Sequence, residues 1–498
     1  MTDIYQDYKP FRNMLRKQHL EASLIDVWEL ARYLSNNDAP SPGRFGYNAN
    51  SLRTLLYPWD LLLLARELIL HASNCGPNRL DTMTSLGPIV NAMRDASDAA
   101  TRLPLDQEDV LIGIHRLAHQ QFRFQGNHDL SAMERYLLIF GQVEFEKIML
   151  ASTGLATSQY YFLGMAVAGH LLHSPRVNAA QNYGEFGISR EASRDFFRRL
   201  ALPVSELRER FSAAAQYDGL WQYTWNELEA HPLVGLDPKK PEHLYCPLPV
   251  LWLRRVTAGL YYDLANTRGF SDAFGEAFEK YIGTLLKKFF SSEDFVVTAE
   301  IPYFVGKNTH HGADWILSDL TANLFIECKT KRMRYEAKIA LDEKSIEKEL
   351  GSIADAVVQL YKNISEAERN LTHWCNNHLP IYPLVVSIED WFLFSPLLQK
   401  QLRDIVKARL RPAGLCETLL NSKPFTFASA RELEIGFEII RSVGIDAFFR
   451  AKTSDEYHDY LLLEFSRQAF PEAAGGNFNE IFMAELRKIL PVDDAPQG

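Results

Sequence analysis

The stretch HGADWILSDLTANLFIECKTK, residues 311–331, places charged residues inside short apolar runs, and this pattern predicts the fold of the surrounding region. ADWILSD from Ala313 and NLFIECKTK from Asn323 each predict a short β-strand, and the three residues between them predict a tight hairpin connection. Side chains alternate between the two faces of a strand, so Glu327 and Lys329 should project to the same side. The residues on either side of Glu327 should project to the opposite, apolar face.

Two carboxylates should therefore meet at this hairpin, because Asp314 begins the first strand and Glu327 lies late in the second. Converging carboxylates suit a hard cation such as Mg²⁺, which takes few carboxylates and keeps several waters, and Mn²⁺ could take its place. Lys329 can hold or help deprotonate a water molecule, which is the nucleophile of phosphodiester hydrolysis. The simpler alternative is an edge strand on which Glu327 and Lys329 form a solvated pair.

The flanking sequence predicts a core in which helices and strands alternate. A helix is expected from Ser271, because SDAFGEAFEKYIGTLLKKFF carries aromatic and aliphatic residues at helical spacing. FVVTAEIPYF from Phe295 predicts a strand before the hairpin, and the apolar stripe from Ile346 to Ile364 predicts a helix after it. IYPLVVSI from Ile381 predicts a strand buried on both faces. The expected order is α-β-β-β-α-β.

This order, together with Gly312-Ala313-Asp314 and Glu327-Cys328-Lys329, resembles the PD-(D/E)xK nuclease superfamily, which has the restriction-endonuclease-like fold. The resemblance covers about residues 270–390, and Ala313 stands where the family name has proline. It implies metal-dependent hydrolysis that leaves a 5′-phosphate, with Mg²⁺ as the cofactor. It further implies that the metal ligands are Asp314, Glu327 and Glu279. The resemblance also implies five catalytic residues, which are these three ligands, Lys329, and Gln359 on the following helix.

The whole chain predicts a multi-domain protein of 498 residues. Residues 1–231 show helical patterns and should form an α-helical N-terminal domain for recognition or regulation. Residues 232–265 are rich in proline and predict a linker or crossing segment. Residues 266–395 should form the restriction-endonuclease-like core, followed by an α/β extension over 396–498 that packs on it. In that extension Ser429 and Glu432 predict a capping box for a helix.

The charge distribution limits where a nucleic acid could bind, since the net charge of the chain is −10. A polyanion would need a local basic patch, and the run after the predicted catalytic strand provides one. We expect phosphate contacts from Lys331, Arg332 and Arg334, with His311 also touching the substrate or the metal. An ordinary solvated loop explains the basic run equally well. Lys338 continues the same run.

Other features indicate an ordinary soluble protein. The N-terminus has no signal-peptide pattern and no apolar stretch is long enough to cross a bilayer, so a cytoplasmic location without membrane contact is expected. The five scattered cysteines predict buried free thiols instead of disulfides. His115 and His119 have the spacing of two metal ligands on a helix, but no third ligand is evident, and a structural role is expected.

Three functions remain open from these patterns. The first is a metal-dependent endonuclease that acts on DNA in preference to RNA, in restriction, repair or antiviral defence against foreign DNA. The second is a non-catalytic nucleic-acid-binding or scaffold protein built on the same fold. An interaction protein with an unrelated α/β domain is a third alternative. In each case the helical domain could bind a protein partner or a second copy of the chain.

Overall fold

The chain forms two compact units in a computed structural model that describes residues 3–35, 49–101, 107–124, 128–339, 343–393 and 395–472. Of these residues, 3–101 and 123–270 lie in the first unit, and 107–122 and 271–472 lie in the second. The protein is mixed α/β, with a helical N-terminal region and small mixed sheets. Among the described helices, none combines the length and the apolar character needed to cross a membrane.

The first unit is built mainly from helices that bury their apolar faces in a core around Tyr8, Leu64 and Trp221. The helices that begin before residue 270 are α1 (Tyr5–Leu15), α2 (Leu20–Ser35), α3 (Ala49–Leu55), α4 (Pro58–His71), α5 (Met83–Thr101), α6 (Gln107–Gln121), α7 (His128–Phe140), α8 (Val143–Thr153), α9 (Thr157–Leu171), α10 (Arg190–Leu200), α11 (Val204–Ala214), α12 (Pro249–Val256) and α13 (Leu260–Leu264). Of these, α6 belongs to the second unit.

A small sheet in the first unit was not expected from the sequence. Its strands are β1 (Arg176–Asn178), β2 (Ala201–Pro203), β3 (Leu233–Gly235) and β4 (His243–Tyr245), in the order β1-β4-β3-β2. The proline-rich segment 232–265, which was expected to be a linker or crossing segment, contributes β3, β4, α12 and α13. The prolines flank strands of only three residues, and Pro249 occupies the first turn of α12, where a missing N–H costs nothing.

The second unit is organised around a five-stranded sheet. Its remaining elements are α14 (Phe270–Phe289), β5 (Val296–Ala299), β6 (Tyr303–Val305), β7 (Asn308–His310), β8 (Trp315–Ser318), β9 (Asn323–Lys329), α15 (Tyr335–Lys338), α16 (Glu343–Glu368), β10 (Ile381–Ser387), α17 (Pro396–Leu410), α18 (Leu419–Ser422), β11 (Thr426–Ser429), α19 (Ala430–Val443), α20 (Ile445–Lys452) and α21 (Leu462–Ala469). The sheet order is β11-β10-β9-β8-β5. The β5–β8 and β8–β9 pairs are antiparallel, whereas β9–β10 and β10–β11 are parallel.

Two details of this sheet differ from the sequence prediction. The expected first strand, FVVTAEIPYF, is divided into β5 and β6, because Pro302 interrupts it and β6 pairs with β7 in a separate hairpin. The C-terminal extension supplies β11, so it is part of the sheet itself. The prediction for β10 is confirmed: all seven of its residues are buried, and it lies between β9 and β11.

The two faces of the sheet pack on different helices near the hairpin. Ile316 of β8 and Phe325 of β9 belong to a core with α16 and α17. Trp315, in the opposite phase of β8, meets α14, where its indole Nε1 donates to the carbonyl oxygen of Glu279 at 2.9 Å. This packing fixes α14 beside the start of β8.

The cysteine prediction was only partly right. Cys246 and Cys328 are buried thiols, but Cys75, Cys375 and Cys416 are exposed, and all five are free. The exposed ones lie in loops, where local sequence patterns give little information about burial.

Candidate functional site

The strand register sets three carboxylates side by side at one end of the sheet. Ala299 pairs with Trp315, which pairs with Ile326 on the next strand. At the next level of the sheet, one residue after Ala299 and Ile326 and one residue before Trp315, Glu300, Asp314 and Glu327 lie side by side. The amide of Glu300 donates to the carbonyl oxygen of Asp314 at 3.0 Å, so the backbone pairing continues to this level.

Local hydrogen bonds orient two of these carboxylates. Asp314 Oδ2 accepts from the amide of Cys328 at 2.6 Å, and Glu327 Oε1 accepts from Lys329 Nζ at 2.6 Å. Glu327 is only 5% exposed, yet its Oε2 has no hydrogen-bond partner among the described residues. A buried charged oxygen without a partner is costly, so this atom marks a place where a cation would be stabilising.

The electrostatics of the site favour an added positive charge. Burial raises the pKa of Asp314, and the negative charge of Glu279 raises it further. Burial and the charge of Asp314 likewise raise the pKa of Glu327. For Lys329, burial alone would lower the pKa, but the carboxylates of Glu327 and Asp314 outweigh it and the pKa is raised. Lys329 is therefore a cation at neutral pH, and it does not fully compensate the carboxylates.

Glu279 reaches the site through the close approach of α14. A Cβ atom on Gly283 would lie 1.9 Å from Cζ2 of Trp315, so only glycine allows the helix and the indole to pack in this way. The pKa of the half-buried Glu279 is raised by burial and by the charges of Glu300 and Glu327. The structure thus brings Glu279 into the electrostatic neighbourhood of the two strand carboxylates.

No described contact joins Gln359, an exposed residue of α16, to the carboxylates of the site. Its Nε2 donates to Oδ1 of Asn363 at 2.9 Å, one turn along α16. Asn363 and Ala313, the residue before Asp314, line one cleft of about 370 Å³, part of which is open solvent. The structure therefore links Gln359 to this cleft through Asn363 and does not place it against the carboxylates.

The sequence prediction missed Glu300. Its Oε1 lies 2.6 Å from Nδ1 of His311, whose side chain is 70% exposed. His311 was expected to touch substrate or metal, and the structure pairs it with this carboxylate. His310 instead contacts Glu366 on α16, at 3.2 Å. The alternation in Thr298-Ala299-Glu300 gave a local signal, but only the β5–β8 pairing shows that Glu300 stands beside Asp314.

The basic run after β9 is largely engaged within the protein. Lys331 Nζ lies 3.5 Å from Glu349, and Arg334 also pairs with this carboxylate, which is on α16 and 1% exposed. Lys338 Nζ lies 3.3 Å from Glu389, and Arg332 is half-buried. The expected phosphate contacts from this run are therefore weakened, because an acid from a distant helix offsets its charge.

The two histidines of α6 have structural surroundings. Nε2 of His115 lies 3.2 Å from the carbonyl oxygen of Ala337, and burial lowers the pKa of His115 to about 4. The ring of His119 packs against Phe392. Both contacts lie inside the second unit.

The residues present fit a cation that takes few protein ligands. Throughout the described part of the chain, no group of three or more His, Cys, Asp or Glu side chains is arranged to hold a metal ion. Asp314 and Glu327 form a pair with one unpartnered buried oxygen, and Mg²⁺ commonly binds to one or two carboxylates and completes its shell with water and phosphate oxygens. The site therefore fits Mg²⁺ better than a metal that needs a full set of protein ligands.

Comparisons with known proteins provide no further guidance. No protein-family model, no curated protein and no solved structure matches this chain. The activity of the chain is therefore inferred from the arrangement of its own side chains.

Proposed function

We propose that this protein is a Mg²⁺-dependent nuclease of the PD-(D/E)xK type that hydrolyses phosphodiester bonds of DNA. The observation that carries the proposal is the buried, unpartnered Oε2 of Glu327 beside the carboxylate of Asp314. Two buried acids at one point are destabilising without a cation, and such arrangements are common at functional sites. A setting in restriction, repair or defence against foreign DNA remains part of the same proposal.

The topology of the second unit supports the nuclease reading. The elements α14, β5, β8, β9, α16 and β10 follow one another in the α-β-β-β-α-β order of the restriction-endonuclease-like core, with the β6–β7 hairpin inserted after β5. Asp314 precedes β8, and Glu327 and Lys329 end β9. Glu279 lies on α14, before the three strands, and Gln359 lies on α16, after them.

Asp314 and Glu327 would hold the cation, and Glu279 would support it directly or through a water molecule. When bound by these carboxylates, Mg²⁺ would supply a Lewis acid that lowers the pKa of water and offsets negative charge on the phosphate. Lys329 keeps its proton because of the neighbouring carboxylates, so its role is to orient the attacking water and to stabilise developing negative charge. Gln359 would act as a positioning residue through Asn363.

Metal binding is the first test of this proposal. Calorimetric titration of Mn²⁺ and Mg²⁺ into the wild-type protein should show binding at pH 8 that Asp314→Asn and Glu327→Gln both abolish. Glu293→Gln is a matched control, because it neutralises one exposed carboxylate of the same unit. The metal site would be contradicted if Asp314→Asn and Glu327→Gln bound metal as the wild type does, or if the wild type bound none.

Cleavage assays then separate the nuclease from the non-catalytic alternative. Labelled single-stranded and duplex DNA and RNA should be tested in the same buffers, with products analysed for a 5′-phosphate. The proposal expects metal-dependent cleavage that is lost in Glu327→Gln. A protein that binds metal and nucleic acid but cleaves none of these substrates, with identical binding by wild type and Lys329→Met, would favour the scaffold function.

A further inference from the structure

The candidate site raises an electrostatic problem for any polyanionic substrate. The negative charges of Glu279, Glu300, Asp314 and Glu327 act on one another at the site, and Lys329 Nζ is bonded to Glu327. The net charge of the chain is −10. A nucleic-acid backbone therefore needs a row of cations close to the site, and the run after β9 is largely offset by Glu349 and Glu389.

Helix α14 carries such a row on its outer surface. Lys280, Lys287 and Lys288 are exposed, and we call them the lysine stripe. Lys280 directly follows Glu279 of the site. Lys287 Nζ lies 5.2 Å from the centre of the Trp315 ring. Trp315 is the first residue of β8 and directly follows Asp314, so Lys287 contacts the strand that leads away from the carboxylate site.

We propose that the lysine stripe binds the phosphate backbone of the strand that enters the carboxylate site. This inference rests on the proposed nuclease function and adds the path of the substrate. Lys280 and Lys287 are seven residues apart, which is about 10 Å along a helix. Along the axis of duplex DNA each strand carries one phosphate per about 3.4 Å, so this distance spans about three nucleotides measured along that axis. The stripe can therefore contact phosphates a few nucleotides from the bond that is cleaved.

The helix dipole accounts for the presence of lysine at only two of the three positions of the lysine stripe. Lys287 and Lys288 lie in the last turn of α14, where cations are favoured by the helix dipole. Lys280 lies in the middle of the helix, where that effect is small. Glu276, one turn before Lys280, is an exposed acid near the same face and would repel a phosphate there. The proposed phosphate path therefore runs from Glu279 toward the C-terminal end of α14.

The test compares the affinity of DNA for two double variants with equal charge changes. A short fluorescein-labelled single strand and its duplex are titrated with protein, and fluorescence anisotropy is read over a range of salt. Ca²⁺ replaces Mg²⁺, because it binds similar oxygen ligands. Lys280→Gln/Lys287→Gln removes two charges of the stripe. Lys239→Gln/Lys240→Gln removes two exposed charges in the first unit and serves as the control.

The expected loss follows from counterion release. Each phosphate contact to a single strand contributes a slope of about −0.7 to a plot of log affinity against log salt concentration. Between about 1 M and 0.1 M salt, one contact therefore raises the affinity by about 5-fold. The stripe variant should therefore bind about 25-fold more weakly, with a salt slope shallower by about 1.4. The control variant should bind as the wild type does. Lys280→Gln/Lys288→Gln keeps the contact between Lys287 and Trp315, and it replaces the first variant in the test if that variant is unfolded.

The outcomes distinguish this inference from the nuclease proposal. Equal losses in the stripe and control variants would reduce the effect to net charge and overturn the inference. Unchanged DNA affinity in a folded stripe variant would also overturn the inference. The nuclease proposal would survive that result if Asp314 and Glu327 still bind metal and the protein still cleaves DNA. Failure of the metal titration would instead overturn the nuclease proposal. A wild-type protein that binds none of the DNA probes would overturn the stripe whatever the metal result.

Discussion

Neutralising Glu327 should stabilise the protein in the absence of metal. The side chain is 5% exposed, one of its oxygens has no partner, and the carboxylate of Asp314 adjoins it. Burial and that neighbouring charge raise the pKa of Glu327 from 4.5 to about 7. Glu327→Gln keeps the shape of the side chain and removes the charge, so the unfavourable burial of a carboxylate disappears.

The size of the effect follows from the raised pKa. The charged form of Glu327 is disfavoured in the folded protein by about 3 kcal/mol at pH 8. This value already includes the attraction of Lys329, which lowers the pKa of Glu327, but the buried amide of the glutamine has no partner for its N–H groups, and this should cost about 1 kcal/mol. The net gain is about 2 kcal/mol, which corresponds to a rise in Tm of about 4–8 °C for a unit of this size.

The pH dependence identifies the cause. The folded protein holds the Glu327 proton up to about pH 7, whereas the unfolded chain releases it near 4.5, so the free energy of unfolding of the wild type falls as the pH rises between these values. The gain from Glu327→Gln should therefore be present at pH 8 and nearly absent below pH 5.

Thermal unfolding in EDTA at both pH values, and again with Mn²⁺, measures these effects. Mn²⁺ should raise the Tm of the wild type at pH 8 and leave Glu327→Gln unchanged, and the exposed control Glu293→Gln should behave as the wild type does. A variant less stable than the wild type at pH 8 in EDTA, or an equal gain at both pH values, would refute the reasoning.

Three further substitutions test the surroundings of the site. Gly283→Ala places a Cβ atom 1.9 Å from Cζ2 of Trp315, so overpacking should lower the free energy of unfolding by about 1–3 kcal/mol in a denaturant titration. Arg334→Gln leaves the buried Glu349 with weaker compensation, and because the Arg334 side chain is 50% exposed we expect a loss of about 1–2 kcal/mol in the same measurement. Lys329→Met should retain metal binding in calorimetry while kcat for cleavage falls by about 10²–10³.

Matched variants control each of these results. Gly275→Ala lies on the same helix with no atom within 4 Å of the added Cβ, and it should stabilise by up to about 1 kcal/mol. An equal change in the free energy of unfolding for Gly283→Ala and Gly275→Ala would contradict the close approach of the Trp315 indole to Gly283. Adding Glu349→Gln to Arg334→Gln should recover part of the lost stability. Lys329→Arg should retain more activity than Lys329→Met if the positive charge is what matters.

The sequence predicted the central elements of the second unit well because their signals are local. Helical spacing identified α14 and α16, and an unbroken apolar run identified β10 as a buried internal strand. The short connection before Asn323 brought the prediction that Asp314 and Glu327 meet, since an antiparallel hairpin fixes their register. In the first unit, strands of three residues gave no such pattern, and the sheet they form was missed.

The sequence alone determined that Asp314, Glu327 and Lys329 share one point, because strand alternation and a tight turn act over fewer than about twenty residues. Only the tertiary structure decided that Glu300 joins them, because it depends on pairing with a distant strand. Burial, which raises the pKa of the two strand carboxylates, is likewise a property of packing between elements far apart in the chain. The same long-range packing sets Glu349 against the predicted basic run and leaves the lysines of α14 exposed.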